Sequence, residues 1–303
     1  MTKGSEIVIH EVGMRDGLQM EKQAVPTQQK LKWIEAIMGT GVDVIQVGSF
    51  VNPAKVPQMA DTDQIFSTLA SHDALLSALV LNEKGLDRGL ACGVDLFCMG
   101  VSASETHSRK NTGMSISEAT ERIIAMARHV VASKRKVQVS VQSAFGCGYE
   151  GRVPHERVMK IVERYLDAGL RNISLADTAG HAMPDRVEKM FNAIMEFDEG
   201  VECACHFHNT YGMGLANCYA AMKAGVGYFE SSIAGLGGCP FTKIAGGNVC
   251  TEDLVHMLQR MDLRHDIRLN TLIDVAKDVS TFLGREMPGT IYRVGAIEEE
   301  LAV

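Results

Sequence analysis

Eight short apolar runs alternate with helix-periodic stretches along this chain, and few folds accommodate that order. The runs Ile7–Val12, Val42–Val47, Leu75–Leu81, Leu96–Val101, Val137–Val141, Ile173–Ala176, Val201–Phe207 and Tyr228–Ile233 each suit one strand. Helical periodicity fills the gaps at Gln28–Met38, Ser117–Ala132, Arg157–Ala168, Asp185–Phe197, Gly214–Ala224 and Glu252–Met261, and more weakly at Asp61–Leu69 and Lys84–Ala91. The joints Gly41-Val42, Gly93-Val94, Gly169-Leu170 and Gly225-Val226 place a glycine where a helix must end and a strand begin. Ser115 and Glu118 have capping-box spacing, and Pro184 suits a first helical turn. The order predicts an α/β fold, a (β/α)8 TIM barrel over residues 1–264, with a helical extension over 265–303 packed on it. Functional side chains of such a barrel gather in the loops that follow the strands.

Charge and cysteine usage narrow the setting. With 303 residues and a formal net charge of -7, the chain has no long basic run, since Lys134-Arg135-Lys136 reads as a helix end. Nucleic acid is therefore not an expected partner. Eight cysteines lie scattered without a CxxC pair, as reduced thiols do. Cys92, Cys98, Cys203, Cys205 and Cys218 are expected to pack as small apolar groups, while Cys147 and Cys250 fit either role. No apolar signal core or membrane-length segment occurs, so a cytoplasmic protein without a membrane partner is expected.

The chemistry-bearing residues fall at strand ends. His206 and His208 stand two apart at the end of the seventh run, so a strand turns both to one face, as two ligands of one metal require. Two hydrogen-bonded histidines without a metal fit the same pattern. Cys203 and Cys205 fall on the other face, which excludes a joint Cys/His cage. After the first strand, Arg15-Asp16 sits between Gly13 and Gly17. Asp16 can complete a metal site and Arg15 can hold a developing oxyanion, or the two can form a surface pair in a glycine turn. The stretch Gly235 to Asn248 carries five glycines without a dinucleotide fingerprint, and its Cys239 suits a proton donor or nucleophile. Asp177 fits an acid/base group or a cap equally, and Ser102 to Asn111 reads as a substrate-facing loop.

Together these segments resemble the 3-hydroxy-3-methylglutaryl-CoA lyases, metal-dependent barrel enzymes with Arg-Asp after strand one and His-x-His on strand seven. The similarity covers residues 6 to 262. It is carried most specifically by Arg15-Asp16-Gly17-Leu18-Gln19, Ser49-Phe50-Val51-Asn52-Pro53 with Val56-Pro57-Gln58-Met59, Leu236-Gly237-Gly238-Cys239-Pro240, and Asn248 with Thr251-Glu252-Asp253-Leu254-Val255. The resemblance implies that Asp16, His206, His208 and Asn248 bind a divalent cation, magnesium or manganese, while Arg15 and Cys239 act on an acyl-CoA substrate. It also implies retro-Claisen cleavage to a keto acid and an acyl-CoA, acetoacetate and acetyl-CoA for the family substrate, with His206 or Asp16 taking the hydroxyl proton. Gln19, Gln46, Asn111, Ser140 and Thr178 are expected to face the substrate, and a homo-oligomer, dimer or tetramer, is expected.

Departures from the family pattern point to the acyl pocket. Gln46 stands where these lyases usually carry Glu, Ser140 where a Tyr is usual, Asn209 where Asp is usual and Gly148 where Pro is usual. The cysteine loop continues Phe241-Thr242-Lys243-Ile244-Ala245-Gly246-Gly247 instead of the family's Tyr-Ala-x-Gly-Ala-Ser/Thr-Gly, and the C-terminal cysteine of some animal members is missing. Three alternatives accompany the lyase reading: a bulkier 3-hydroxyacyl-CoA as substrate, a Claisen or aldol synthase of the same barrel class, and a non-catalytic homologue.

Overall fold

The structure is a computed structural model and describes residues 7–69, 74–238 and 247–297. Its strands are β1 (Val8–Glu11), β2 (Val44–Ser49), β3 (Leu75–Leu79), β4 (Leu96–Ser102), β5 (Lys136–Gln142), β6 (Asn172–Asp177), β7 (Glu202–Phe207) and β8 (Tyr228–Ser231). They close in sequence order into a barrel, every neighbour pair parallel and β8 returning to β1. All eight expected strands form. Parallel neighbours need a crossover, and the helices supply it.

These helices are α1 (Thr27–Met38), α2 (Thr62–Thr68), α3 (Glu83–Ala91), α4 (Glu105–Thr112), α5 (Ile116–Ala132), α6 (His155–Asp167), α7 (Pro184–Phe197), α8 (Gly214–Lys223) and α9 (Thr251–Gln259). Gly41, Gly93, Gly169 and Gly225 have φ of 95°, 77°, 79° and 98°, the left-handed conformation that a side chain would strain. Ser115 and Glu118 form the expected reciprocal cap of α5. Beyond the barrel, α10 (Leu269–Leu283) lies against α1: Trp33 Nε1 donates to Asp278 Oδ2 at 2.7 Å, and Trp33 meets Phe282 edge-on at 5.4 Å. A short α11 (Ile291–Val294) follows. Among the described residues, no helix is long and apolar enough to cross a membrane.

Each strand divides its side chains between two environments. Outward residues such as Ile9, Val47, Phe97, Val139, Ile173 and Phe229 join one large apolar core with the helices. Inside the barrel, the apolar layer is small: Val44, Leu96 and Cys98, with Val8 and Leu75 against them. Above it the interior turns polar, with His10, Gln46, Ser77, Gln138, Ser174 and Glu230 all buried. Cys98 belongs to this inner wall; its thiol faces Gln138 Oε1 at 3.7 Å, so the expectation that it packs as an apolar group holds only in part.

Two local expectations are corrected. The segment read as a loop from Ser102 to Asn111 winds into α4, whose N-cap Ser104 accepts the His107 backbone N–H at 3.1 Å. Its sequence is polar all round, so no apolar stripe announced it. The glycine turn after β1 is a π-helical turn over Gly13–Gly17.

Candidate active site

The π turn exists because its two glycines meet neighbouring backbone and side chains directly. A Cβ on Gly13 would lie 2.5 Å from Glu11 Oε1, and one on Gly17 would lie 2.6 Å from the Leu236 Cβ. Glu11 anchors the turn from below: it accepts N–H bonds from Gly13 at 2.7 Å and Ile233 at 2.9 Å and a hydroxyl bond from Thr251. Burial pushes its carboxyl up to about 7 against those donors. The wide turn thereby aims Arg15 and Asp16 over the barrel mouth. Arg15 Nε donates to Gln46 Oε1 on β2, and Arg15 Nη1 pairs with Asp16 Oδ1.

Across the mouth, β7 and the residue after it present His206 and His208 side by side, as their spacing predicts. Their Nε2 atoms lie 3.2 Å apart, and His206 Nε2 lies 3.9 Å from Asp16 Oδ2. One ligand atom from each of Asp16, His206 and His208 falls within 4.8 Å of the others. Asn248 arrives on a backbone bridge to His208, donating through Nδ2 to Asp16 Oδ2 and to the Leu236 carbonyl, each at 3.0 Å. Gly237 makes room for it, with φ of 130° and a Cβ position 2.8 Å from Asn248 Nδ2.

Glu230 on β8, a residue the sequence gave no reason to single out, fixes His206. Its Oε2 lies 3.0 Å from His206 Nδ1, while Ser174 donates to its Oε1 at 2.8 Å. With the Nδ1 proton held by Glu230, the lone pair of His206 Nε2 faces the site. Burial alone would raise the Glu230 pKa, but the hydrogen bond and charge of His206 outweigh it and lower it. Burial likewise works to depress His206, yet the Glu230 bond and the Asp16 and Glu230 charges raise it. His208 is pulled down to about 4, by burial first and by His206 next, and is neutral at pH 7. Burial opposes ionisation of Asp16, but Arg15, the two imidazoles and Asn248 hold it well below the usual carboxylate range.

This donor set fits a divalent cation. An ionised carboxylate and two converging imidazole nitrogens share one small volume, while His208 Nδ1 and Asn248 Oδ1 are buried without a hydrogen-bond partner among the described residues. Buried polar atoms are seldom left so.

Below the mouth opens a cavity of about 310 Å³. Of the expected substrate-facing residues, Gln19, Gln46, Asn111, Ser140 and Thr178 all line it, as do Arg15, Asp16, His206 and His208. Asn248 braces Asp16 from behind that lining. Cys239 lies outside the described residues, though its neighbour Gly238 is part of the wall. From α4, His107 and Asn111 reach the cavity because four residues apart on a helix share a face; Lys110 instead covers the Tyr149 ring at 4.0 Å, and Arg109 pairs with Glu105. Asp177 faces the loop after β6, accepting the His181 and Ala182 N–H groups at 2.8 and 3.0 Å, with burial pushing its carboxyl up to about 6. It braces that loop and is not the cap of α7, whose N-cap is Met183. Gln138, Gln142, Ser174 and Glu230 line the cavity without having been expected there, while His107 belongs to the stretch read as facing the substrate.

A family model described as HMGL-like matches residues 6–279. Hydroxymethylglutaryl-CoA lyase YngG of Bacillus subtilis is 35% identical over 284 residues, covering 93% of this chain and 95% of that protein. A 3-hydroxy-3-isohexenylglutaryl-CoA/hydroxymethylglutaryl-CoA lyase of Pseudomonas aeruginosa is 33% identical, covering 94% of this chain and 95% of that one. Among solved structures, an HMG-CoA lyase of Acinetobacter baumannii in complex with coenzyme A and 3-methylmalate superposes with a TM-score of 0.92 at 33% identity, over 100% of both chains.

Proposed function

The chain belongs to the HMGL-like family, and from that membership we propose that it is a carbon–carbon lyase cleaving 3-hydroxy-3-methylglutaryl-CoA, or a close analogue, to a keto acid and an acyl-CoA. The observation that carries the reading is the convergence of Asp16, His206 and His208 beside Arg15 at the mouth of one cavity.

Asp16, His206, His208 and the free Oδ1 of Asn248 would hold a divalent cation. Magnesium or manganese suits the mixed nitrogen and oxygen donors. When bound, such an ion lowers the pKa of the substrate's tertiary hydroxyl and orients the bond to be broken.

The chain's own groups do the rest. The hydroxyl proton passes to the Asp16 carboxylate, which keeps lone pairs beyond those that would hold the cation, while Glu230 holds the Nδ1 proton of His206 and fixes that ring. As the C–O bond becomes a carbonyl, the electron pair of the adjacent carbon–carbon bond moves into the thioester and forms an enolate. Arg15 stabilises the enolate oxygen; Gln46 accepts from its Nε and so fixes the guanidinium's orientation. Cys239, next in sequence after Gly238, donates the proton that turns the enolate into acyl-CoA. The buried free thiols among the described residues suit a reducing, cytoplasmic setting.

Incubation with hydroxymethylglutaryl-CoA and magnesium or manganese should release acetoacetate and acetyl-CoA in equal amounts. Chelation should stop the release, and adding the cation back should restore it. No cleavage under any cation would end the lyase reading.

A further inference from the structure

The inner chamber of the cavity is built for a hydrogen-bonding guest. Arg15 is the only lysine or arginine among the described residues of its lining, and it stands at the mouth beside Asp16. Coenzyme A carries several phosphate charges, and a lining whose single cation already pairs with Asp16 offers them no partner, so on the lyase reading the chamber receives only groups carried by the acyl part. Besides its hydroxyl and the arm that leads to the thioester, the third carbon of such a substrate carries two more arms. The carboxylate arm belongs with the cation at the mouth, and the other is left to point inward.

That inner wall carries a row of amides and hydroxyls beside the apolar Leu79, Leu81 and Met99. Along β5, Gln138, Ser140 and Gln142 line the chamber, paired in register with Cys98, Gly100 and Ser102 of β4. Gly100 is required: a Cβ there would lie 1.9 Å from Ser140 Oγ, so the strand gives up a side chain beside Ser140. Gln138 Oε1 receives the Cys98 thiol, which leaves its amide NH2 to donate. Ser140 Oγ and the Gln142 amide make no side-chain hydrogen bond with the described residues. Leu79, Leu81 and Met99 can take the methylenes of an arm, but an arm apolar to its end would strip water from these polar groups without replacing the hydrogen bonds. An anionic arm would meet the Glu230 carboxylate, which stands on the same lining with Ser174.

We infer that this enzyme's preferred substrate is a 3-hydroxyacyl-CoA whose third carbon bears, in place of methyl, a longer uncharged branch ending in a hydroxyl or another hydrogen-bonding group. The inference rests on the lyase reading and deepens it. Sites built to hydrogen-bond a substrate group discriminate strongly against the analogue lacking it.

The test compares three glutaryl-CoA thioesters with methyl, butyl or 3-hydroxypropyl on the third carbon, the last two having the same number of heavy atoms. The 3-hydroxypropyl thioester should exceed both others in kcat/KM, the butyl one by roughly tenfold or more. Ser140→Ala should reduce that ratio, and Gln138→Leu with Gln142→Leu should bring it to one or below. A parent enzyme that cleaves the butyl or the methyl thioester at least as well overturns the inference, whatever the variants do. Thermal shifts with the corresponding free 3-substituted 3-hydroxyglutarates give the same ranking without turnover. Absence of all cleavage thus ends the lyase reading alone, while equal shifts for the butyl and hydroxypropyl acids end this one.

Discussion

The two faces of the same strands are made of opposite chemistries. Outward, Ile9, Val47, Phe97 and Ile173 pack against helices in one continuous apolar core. Inward, above a small apolar layer of Val44, Leu96 and Cys98, come His10, Gln46, Gln138, Ser174, His206 and Glu230. The outer face uses area to hold the fold, and the inner face uses directed hydrogen bonds to hold a reaction. Stability and activity should therefore separate by face.

The sharpest break of that division pairs Asp16→Asn with Trp33→Ala. Asp16→Asn removes the site's carboxylate and should lower turnover by roughly a thousand-fold, in the range of lost acid/base function, while Tm stays near the parent's. Trp33 is fully buried in the outer shell, and its truncation should cost about 3–5 kcal/mol of stability in urea unfolding while the folded fraction keeps its specific activity. A thermally crippled Asp16→Asn enzyme, or an inactive but stable Trp33→Ala one, would erase the distinction.

Glu230→Gln probes the inner face one step from the chemistry. Losing the carboxylate behind His206 should weaken cation affinity by roughly ten- to a hundred-fold, read by titration with manganese. Unchanged affinity would show that Glu230 only fills space.

The smallest effect concerns His10, buried against Ser77 at 2.7 Å and pulled down to about 4, chiefly by burial. A base whose folded pKa is depressed leaves the unfolded chain binding more protons between about 4 and 6.5, so stability rises with pH across that window. The full contribution is on the order of 3 kcal/mol, present above pH 6.5 and lost as pH falls through the folded value. His10→Asn should flatten the slope by that amount; an unaltered slope would mean that His10 does not titrate with folding.

Legibility in the sequence followed the same division. The outer face wrote itself as apolar runs with glycine stops, which is why all eight strands and the helices from α5 to α9 could be read directly. Arg15-Asp16 and His206-x-His208 were legible because neighbours in sequence remain neighbours at a strand end. Glu230 was not: it sits alone in an apolar run, and only the β7–β8 register brings it opposite His206. Gln138 and Ser174 are hidden for the same reason, since barrel closure decides that they face one another's chamber. The Gly13–Gly17 turn depends on contacts with Leu236, more than two hundred residues away, that no local pattern encodes.

The central claim is that the polar face gathers Asp16, His206, His208 and Asn248 around one divalent cation. Calorimetric titration of metal-stripped protein with manganese, in the parent and in His206→Ala, tests it most directly. The account predicts one ion per chain in the parent and no tight binding in the variant, with the two proteins melting alike before the metal is added. Equal stoichiometry and affinity in both would contradict it.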